Sequence, residues 1–195
     1  MEINFYQEEF FKLFYYDSIV INNDYFIILK RLVVGKGNIK AKIIIVGEAP
    51  GAREEKEGVP FVGKSGRLLS NLLFKAGINE ENDIYFCNVM KCRPPKNRKP
   101  LNKEVMIHKP WLIQQIKLIN PKIIVLTGSI AMKAVLGVNE SITNLRGKWI
   151  NYNGKDYISI FHPSYLMRFR FEEKNSPYRL TLKDLQNVKD KLYNL

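Results

Sequence analysis

Polar side chains that can do chemistry follow four predicted strands, at the point where each strand ends. They are a carboxylate, an amide, a turn with two hydroxyl groups and an imidazole: Glu48, Asn88, Thr127-Gly128-Ser129 and His162. Taken singly, such residues are usually structural, since Asn favours turns and a His before a Pro is rarely a catalyst. Ligands of open α/β sheets bind beyond the carboxyl ends of the strands, so the four groups together predict a ligand pocket at one rim.

The loop that follows the first of these strands adds acidic and aromatic side chains to the same rim. Ala49-Pro50-Gly51 can neither continue a strand nor start a regular helix, so the chain must turn directly after Glu48. Glu54, Glu55 and Phe61 follow in this loop. The predicted pocket therefore has carboxylates and a ring beside it.

The elements that must position these groups alternate between strand and helix. Strands are predicted from short apolar runs at 43–46, 83–87, 123–126 and 157–161. Amphipathic helices are predicted from Ser65 as N-cap to Gly77 as C-terminal stop, over 103–119 with Pro110 as a kink or break, over 130–136 and over 180–192. This alternation predicts an α/β fold with three layers, αβα, around a mainly parallel four-stranded sheet.

No internal repeat or low-complexity linker interrupts this pattern. Residues 1–195 are therefore predicted to form a single domain, with a helical N-terminal segment over 1–40 and an α/β core over 41–195. In the N-terminal segment, the aromatic run from Phe5 to Tyr16 and the apolar stretch from Tyr25 to Val34 predict two helices, or a helix and a loop.

Charge and composition narrow the class of protein. The formal net charge of +12 over 195 residues favours a polyanionic partner, although a general preference for Lys in the source proteome is the alternative explanation. Two cysteines cannot form a disulfide framework. The sequence has neither a run of ~18 apolar residues nor a signal-peptide pattern, so we expect an intracellular protein without a membrane anchor.

Residues 91–103 form a basic, proline-rich loop. It contains six cations: Lys91, Arg93, Lys96, Arg98, Lys99 and Lys103. Such a loop suits phosphate groups without preferring a base sequence, whereas a merely solvated basic loop is the alternative.

Five motifs, in order along residues 43–170, resemble those of the uracil-DNA glycosylase superfamily and most closely its family 4. They are Gly47-Glu48-Ala49-Pro50-Gly51 with Glu54, Gly58-Val59-Pro60-Phe61-Val62-Gly63, Cys87-Asn88-Val89 with Lys91-Cys92-Arg93-Pro94-Pro95, Asn97-Arg98, and His162-Pro163-Ser164-Tyr165-Leu166. Their number and order make the resemblance specific. It implies an enzyme that flips uracil out of DNA and hydrolyses its N-glycosidic bond, which leaves an abasic site and starts base-excision repair.

The resemblance also implies roles for individual residues. His162 resembles the donor to the charge that develops on a uracil oxygen, and Asn88 resembles the amide that reads the edge of the base. Phe61 resembles the ring that stacks on the flipped base. Glu48 occupies the place from which sister families position the attacking water, either as a general base or only by orienting it.

Supporting roles follow from the same resemblance. Glu54 resembles an acidic residue near C5 of the base, where it helps to exclude the thymine methyl group, and a solvated acidic loop is the alternative. Asn97 matches a position that supports catalysis. Gly47 and Ala49 belong to the same substrate-binding motif as Glu48.

DNA contacts are expected from two loops. In the basic loop they are Arg93, Lys96 and Arg98, and in the loop after His162 they are Ser164, Tyr165, Leu166 and Arg168. The second loop resembles a wedge that enters the duplex, where an apolar residue fills the gap left by the flipped base. Leu166 is predicted to be this residue, with Met167 as the second choice.

The sequence departs from family 4 at the iron–sulfur cluster. Family members typically hold a 4Fe–4S cluster with four cysteines, two of them near the N-terminus, but residues 1–40 contain no cysteine here. Cys92 matches the third ligand and His108 stands at the fourth position, while Cys87 is expected to be a buried strand residue. Two cysteines cannot supply four thiolates, so we expect no cluster and no other metal.

The favoured interpretation is a monomeric uracil-DNA glycosylase that acts on uracil-containing DNA, in the cytoplasm or another compartment that holds DNA. Two alternatives stay open: a glycosylase with a broader range of deaminated bases, and a non-catalytic DNA-binding or scaffold protein that keeps the fold. A nucleotide-binding α/β enzyme is disfavoured because the sequence has no Gly-rich phosphate loop.

Overall fold

A six-stranded sheet lies at the centre of the computed structural model, which describes residues 32–169 and 173–194. Its strands are β1 (Lys36–Gly37), β2 (Ile43–Gly47), β3 (Ile84–Asn88), β4 (Ile123–Thr127), β5 (Trp149–Tyr152) and β6 (Lys155–Ile160). The order across the sheet is β1-β3-β2-β4-β6-β5. Strands β3, β2, β4 and β6 are parallel, so the four predicted strands are confirmed as the centre of the sheet.

An antiparallel strand at each edge extends the predicted four-stranded sheet to six. Strand β1 is only two residues long and pairs with β3. Strand β5 pairs with β6 through a hairpin whose turn is Asn153-Gly154, with φ of 50° and 70°. Asn-Gly between two apolar stretches is a strong hairpin signal, and the four predicted strands do not include this hairpin.

Eight α-helices occur in the described part of the chain. They are α1 (Ala52–Glu57), α2 (Lys64–Lys75), α3 (Glu80–Asp83), α4 (Asn102–Ile119), α5 (Gly128–Leu136), α6 (Ile142–Leu145), α7 (Pro163–Leu166) and α8 (Pro177–Tyr193). A 3₁₀ turn over Pro95–Asn97 lies within the basic loop.

Side chains of the central strands alternate between two apolar cores. Ile43 and Ile45 of β2 face a core that contains Leu72 of α2 and Leu185 of α8. Ile44 and Val46 of the same strand face the other core, which contains Leu112 of α4 and Ala131 of α5. Successive strand residues point to opposite faces, so helices on both faces are required, and the predicted three-layer αβα fold is confirmed.

Two helix boundaries differ from the prediction. Helix α2 begins at Lys64 with Gly63 as its N-cap, so Ser65 lies inside the helix, although Gly77 does end it with a φ of +76°. Helix α4 runs from Asn102 to Ile119 with Pro110 inside it. Pro110 is exposed, so water can reach the carbonyl group that the missing N–H leaves without a helical partner.

The N-terminal prediction falls mostly on residues 1–31, which lie outside the described part. The helical segment over 1–40 and the single domain over 1–195 therefore stay predictions. The described residues all belong to one compact unit, in which Val33 and Val34 are buried. None of the helices in 32–169 and 173–194 is both long and apolar enough to cross a membrane.

Candidate active site

The carboxyl ends of β3, β2, β4 and β6 lie side by side, and the predicted site residues follow directly from them. Gly47 at the end of β2 pairs with Asn88 at the end of β3, and Thr127 at the end of β4 pairs with Ile160 at the end of β6. Glu48 and His162 come just beyond these ends. The parallel sheet thus gathers the groups at one rim, as the sequence predicts.

The side-chain amide of Asn88 and the ring of Phe61 both pack against Gly47. A Cβ atom built on Gly47 would collide with Asn88 Oδ1 and would lie 2.7 Å from Phe61 Cζ. A glycine in a strand interior often marks such a close approach, and here only a missing side chain leaves room for both groups. The amide and the ring therefore meet at a single point of the rim.

The backbone after Asn88 is held against the strand that carries Glu48. Val89 N–H donates to the carbonyl of Gly47 at 2.9 Å, and Met90 N–H donates to the carbonyl of Glu48 at 3.0 Å. Asn88 itself is buried. These bonds hold the main chain that follows Asn88 against the main chain of Gly47 and Glu48.

Phe61 has a left-handed backbone conformation, with a φ of 55°, which is uncommon for a residue other than Gly, Asn or Asp. Its ring lies 5.3 Å from the ring of Phe86 at a tilt of 47°. Lys36 Nζ donates to its carbonyl at 3.4 Å, and its main chain packs so closely on Gly66 that a Cβ there would collide with it. Surroundings that impose a strained backbone in this way are typical of functional sites.

Glu54 holds this loop through its carboxylate, and its predicted place near C5 of the base stays a prediction. Oε1 accepts the main-chain N–H of Val62 at 3.1 Å and of Gly63 at 2.6 Å, while Oε2 accepts the N–H of Gly51 at 3.1 Å. The side chain is buried in the loop, not solvated. Because its oxygens face the backbone on both sides of Phe61, Glu54 positions the ring.

Glu48 is half-buried, and burial raises the pKa of its carboxyl group above the ordinary value of 4.5. The positive charge of Lys99 in the basic loop acts in the opposite direction and lowers that pKa. Ala49 beside it is also half-buried. A carboxylate with a raised pKa is suited to accept a proton from water or to orient it.

His162 has a defined protonation state. The main-chain N–H of Ser164 donates to Nδ1 at 3.2 Å, and the Ser164 hydroxyl oxygen lies 2.7 Å from the same nitrogen. Burial lowers the pKa of the imidazole to about 4. A neutral ring that accepts at Nδ1 carries its proton on Nε2, so Nε2–H is the group that can donate to a ligand.

Gly128 makes room for His162 at the end of β4. Its φ is +88°, and a Cβ there would lie 2.9 Å from His162 Cβ. Thr127, the preceding residue, donates its hydroxyl proton to the carbonyl of Val46 at 3.1 Å. The Thr127-Gly128-Ser129 turn thus supports the imidazole and ties β4 to β2, and it lies where the sequence predicts.

Lys91 is fully buried, at 0% exposure, which corrects its assignment to the DNA-binding loop. Its ammonium donates to the main-chain carbonyl of Asn88 at 2.5 Å and to Oε1 of Gln115. Gln115 in turn donates from Nε2 to the carbonyl of Val34 at 2.8 Å. Burial lowers the pKa of Lys91 to about 8, so the group is still mostly protonated at neutral pH.

Two of the predicted DNA-binding arginines are engaged with carboxylates. Arg93 donates to Glu55 at 3.0 Å and to Asn97 Oδ1 at 2.6 Å. Arg98 donates twice to Glu104, at 2.6 and 2.8 Å. Asn97 therefore lies in the exposed turn as a partner of Arg93.

Lys96 and Lys99 of the basic loop are exposed, so they can reach a phosphate group. Of the loop after His162, Ser164 and Arg168 are exposed as well. These positions agree with a surface that contacts DNA, and the contacts themselves stay a prediction.

The prediction that Leu166 is the wedge residue is wrong. Leu166 is 0% exposed and packs in the core between α2 and α8, whereas Met167 is 46% exposed and Tyr165 is 39% exposed. Helix α7 has only four residues, and its last one faces inward. Tyr165 packs between Phe161 and Phe169, with ring centroids 5.3 and 4.7 Å away, so Met167 is the most exposed apolar side chain of residues 164–169.

Cys92 and His108 stand where family 4 members have two cluster ligands, and they are neighbours in space. Cys92 Sγ lies 3.5 Å from His108 Nε2. Burial and nearby carboxylates raise the pKa of Cys92 to about 11, and burial lowers the pKa of His108 to about 4. A protonated thiol and a neutral imidazole at this distance form a hydrogen-bonded pair.

The remaining residues do not fit a cluster held by four cysteines. Cys87 is the second of the two cysteines in the sequence, and it lies fully buried in the core between the sheet and α4. Within 32–169 and 173–194, three or more residues of a metal-binding type do not come together anywhere. Four thiolates are thus not available to this chain.

The fold is an α/β domain in which an acid, an amide and a neutral imidazole lie at one rim of the sheet, with an aromatic ring against the amide. Residues 34–186 match the family model of the uracil DNA glycosylase superfamily. This match covers more than half of the chain, and the chain belongs to that superfamily.

Similar proteins with curated names place the chain near one branch of the superfamily. It is 46% identical over 161 residues to a type-4 uracil-DNA glycosylase of Thermotoga maritima, which covers 82% of each chain. It is 39% identical over 169 residues to the type-4 enzyme of Saccharolobus solfataricus, across 84% of this chain and 77% of that one. A type-4 enzyme of Pyrobaculum aerophilum is 38% identical across 71% and 74% of the two chains. The resemblance to family 4 is confirmed.

Proposed function

We propose that this protein removes uracil from DNA by hydrolysing the N-glycosidic bond, which leaves an abasic site for base-excision repair. The observations that support the proposal are the positions of Glu48, Asn88 and His162 just at or beyond the carboxyl ends of β2, β3 and β6, and the close approach of Phe61 to Asn88 over Gly47. A scaffold protein needs none of these four side chains. The type-4 names of the relatives support the same activity.

Recognition of the base requires a nucleotide that has turned out of the duplex, at a cost of a few kcal/mol for unstacking. The ring of Phe61 provides a surface on which the base stacks. The amide of Asn88 can donate to one group of the base edge and accept from the next. Uracil offers an oxygen and an N–H in that order, whereas the amino group of cytosine reverses the pattern, so the amide favours uracil.

Bond cleavage separates an oxocarbenium-like sugar from a base that leaves with the bonding electron pair. The Nε2–H of His162 donates a hydrogen bond to the uracil oxygen as negative charge develops there, which by analogy with oxyanion holes contributes about 2.7–4 kcal/mol. Glu48 orients water toward the sugar. As the water oxygen bonds to C1′, its proton passes to the carboxylate and then to solvent.

We also propose that the enzyme works without an iron–sulfur cluster. Support comes from the count of two cysteines, the burial of Cys87 and the hydrogen bond between Cys92 and His108. Freshly purified protein is expected to be colourless and to contain no iron. A brown protein with stoichiometric iron and visible absorbance would contradict this proposal and leave the proposed activity intact.

The test of the activity is a cleavage assay on one labelled oligonucleotide that carries U, T, C or hypoxanthine at the same position. Release of uracil and an alkali-sensitive abasic site are expected from wild-type protein. Glu48→Gln should slow the release, whereas the matched control Glu57→Gln at the exposed end of α1 should not, since Glu57 pairs with Arg53 at the surface. Efficient release of hypoxanthine would replace the proposal with a broader glycosylase, and no release of any base would end it.

A further inference from the structure

The buried ammonium group of Lys91 has no part in the mechanism above, although it contacts a residue of the site. Its Nζ lies 2.5 Å from the main-chain carbonyl oxygen of Asn88, the residue whose side-chain amide meets Phe61 over Gly47. A positive charge thus contacts the main chain of the residue whose side-chain amide meets Phe61. We propose that Lys91 is a positioning residue for base excision, which acts through Asn88 and places a fixed positive charge behind the departing base.

The charge of Lys91 is not neutralised by its described neighbours. Its two acceptors are uncharged, the carbonyl of Asn88 and the amide oxygen of Gln115, and no carboxylate in 32–169 and 173–194 forms an ion pair with it. Burying a charge without a counterion is costly for folding. A neutral donor could hold the same two oxygens, so the cost points to a use for the charge itself.

Three titratable groups near Lys91 are neutral, although the ionised Glu104 on α4 acts on His108. Burial raises the pKa of Cys87 and of Tyr85 on β3, so both keep their protons. The pKa of His108 on α4, whose Nδ1 faces the main-chain N–H of Lys91 at 3.4 Å, is lowered to about 4. Among residues 32–169 and 173–194, the positive charge therefore has no carboxylate as a direct partner.

The chemistry that benefits is the departure of the base as an anion, so the inference rests on the proposed function. In a site from which water is excluded, a fixed charge interacts with a developing charge more strongly than it does in water. The benefit is larger in the transition state than in the bound ground state, because the base is neutral until the bond breaks. Lys91 should therefore affect kcat and leave KM nearly unchanged.

Lys91→Met keeps the length of the side chain and removes the charge. The readout is the single-turnover excision rate for uracil and for 5-fluorouracil, whose fluorine stabilises the leaving anion and so reduces the need for a nearby cation. We expect Lys91→Met to slow uracil excision by about tenfold or more and 5-fluorouracil excision clearly less, so that the ratio of the two rates rises by about threefold.

Lys155→Met is the matched control. Lys155 Nζ also donates to a main-chain carbonyl, that of Pro121 at 2.9 Å, and to Asn120 at 2.7 Å. It is the first residue of β6, whereas His162 lies beyond the last one, so Lys155 is at the opposite end of the sheet from the rim. Both rates and their ratio should match those of wild-type protein.

Gln115→Glu is a second variant, which keeps the acceptor for the ammonium and adds a negative charge beside it, while the bond from Nε2 to the carbonyl of Val34 is lost. A carboxylate still accepts from the ammonium, but its negative charge cancels the positive one. The same rise in the 5-fluorouracil to uracil ratio is expected, with the melting temperature recorded for each variant.

Three outcomes separate the possibilities. Equal losses on both bases in Lys91→Met, or an unchanged ratio in Gln115→Glu, would overturn the inference and leave the proposed function standing. If Lys91→Met does not fold, the ratio in Gln115→Glu decides by the same criterion. Wild-type protein that releases neither base would instead refute the proposed function itself.

Discussion

The main-chain N–H of Ser164 donates a hydrogen bond to Nδ1 of His162 over a distance of 3.2 Å. This contact leaves the proton of the neutral ring on Nε2, on the opposite side of the imidazole. Burial lowers the pKa of His162 to about 4 and so favours the same neutral form. The geometry therefore makes His162 a neutral hydrogen-bond donor in the proposed reaction.

The protonation state of His162 should not change across the physiological range. Because its pKa of about 4 lies below the ordinary value of 6.5, the ring is neutral at every pH above about 5. Nitrogen NMR of labelled protein should show an unchanged Nε2–H tautomer between about pH 5.5 and about pH 8. An imidazolium signal that appears near pH 6.5 would contradict the assignment.

The acid limb of the excision rate should come from Glu48. Its carboxyl has a pKa raised above 4.5 by burial, and only the ionised form orients water, so the rate should be full above that pKa and fall as the pH drops through it. Glu48→Gln should be slow and independent of pH over the same range. Single-turnover rates measured as a function of pH test both statements.

Lys99→Met should move that acid limb to higher pH. The positive charge of Lys99 lowers the pKa of Glu48, so its removal lets burial raise the pKa further. Lys96→Met, which removes an exposed cation of the same loop, serves as the control and should leave the limb in place. A limb that stays in place in Lys99→Met would show that this charge does not act on Glu48.

Glu54→Gln tests whether this residue holds the loop of Phe61 or contacts the base. An amide in place of the carboxylate turns an N–H₂ group toward main-chain N–H donors, so we expect a loss of about 1–3 kcal/mol in the free energy of unfolding and slower excision of uracil. Thymine should stay a non-substrate. Thymine excision, together with an unchanged rate of uracil excision, would instead support the predicted role of Glu54 near C5 of the base.

Leu166→Ala should lower the stability of the protein, whereas Met167→Ala should affect its activity on DNA. Leu166 is fully buried, so its truncation should cost about 2–5 kcal/mol of unfolding free energy, measured by denaturant titration. Met167 is exposed, so its truncation should leave stability unchanged and slow excision from double-stranded DNA more than from single-stranded DNA. If Met167→Ala behaves like wild-type protein on both substrates, the wedge lies elsewhere.

The parts of this fold that depend on short, local sequence patterns were predictable. Apolar runs such as Ile43–Val46 mark buried strands. Because parallel strands end at one rim of the sheet, Glu48, Asn88 and His162 could be placed together from the sequence alone. The hairpin at Asn153-Gly154 was equally local and was missed.

Long-range packing decides the features that could not be predicted. A lysine in a basic loop is normally exposed, but Lys91 is buried. Its hydrogen bond to Gln115 joins residues that are 24 apart in the sequence, and the bond from Gln115 to Val34 joins residues that are 81 apart. The direction of Leu166 depends on how a four-residue helix docks between α2 and α8. Glu54 faces the N–H groups of Val62 and Gly63, which the motif alone does not reveal.

The most direct test of the central claim is the single-turnover release of uracil from a defined oligonucleotide by wild-type, Asn88→Ala and His162→Ala proteins of equal melting temperature. The account predicts release by the wild-type protein and a loss of about 10²–10³-fold in His162→Ala, with a large loss in Asn88→Ala as well. Uracil release that persists at the wild-type rate in both variants would contradict it, because the amide and the imidazole would then lie outside the reacting site.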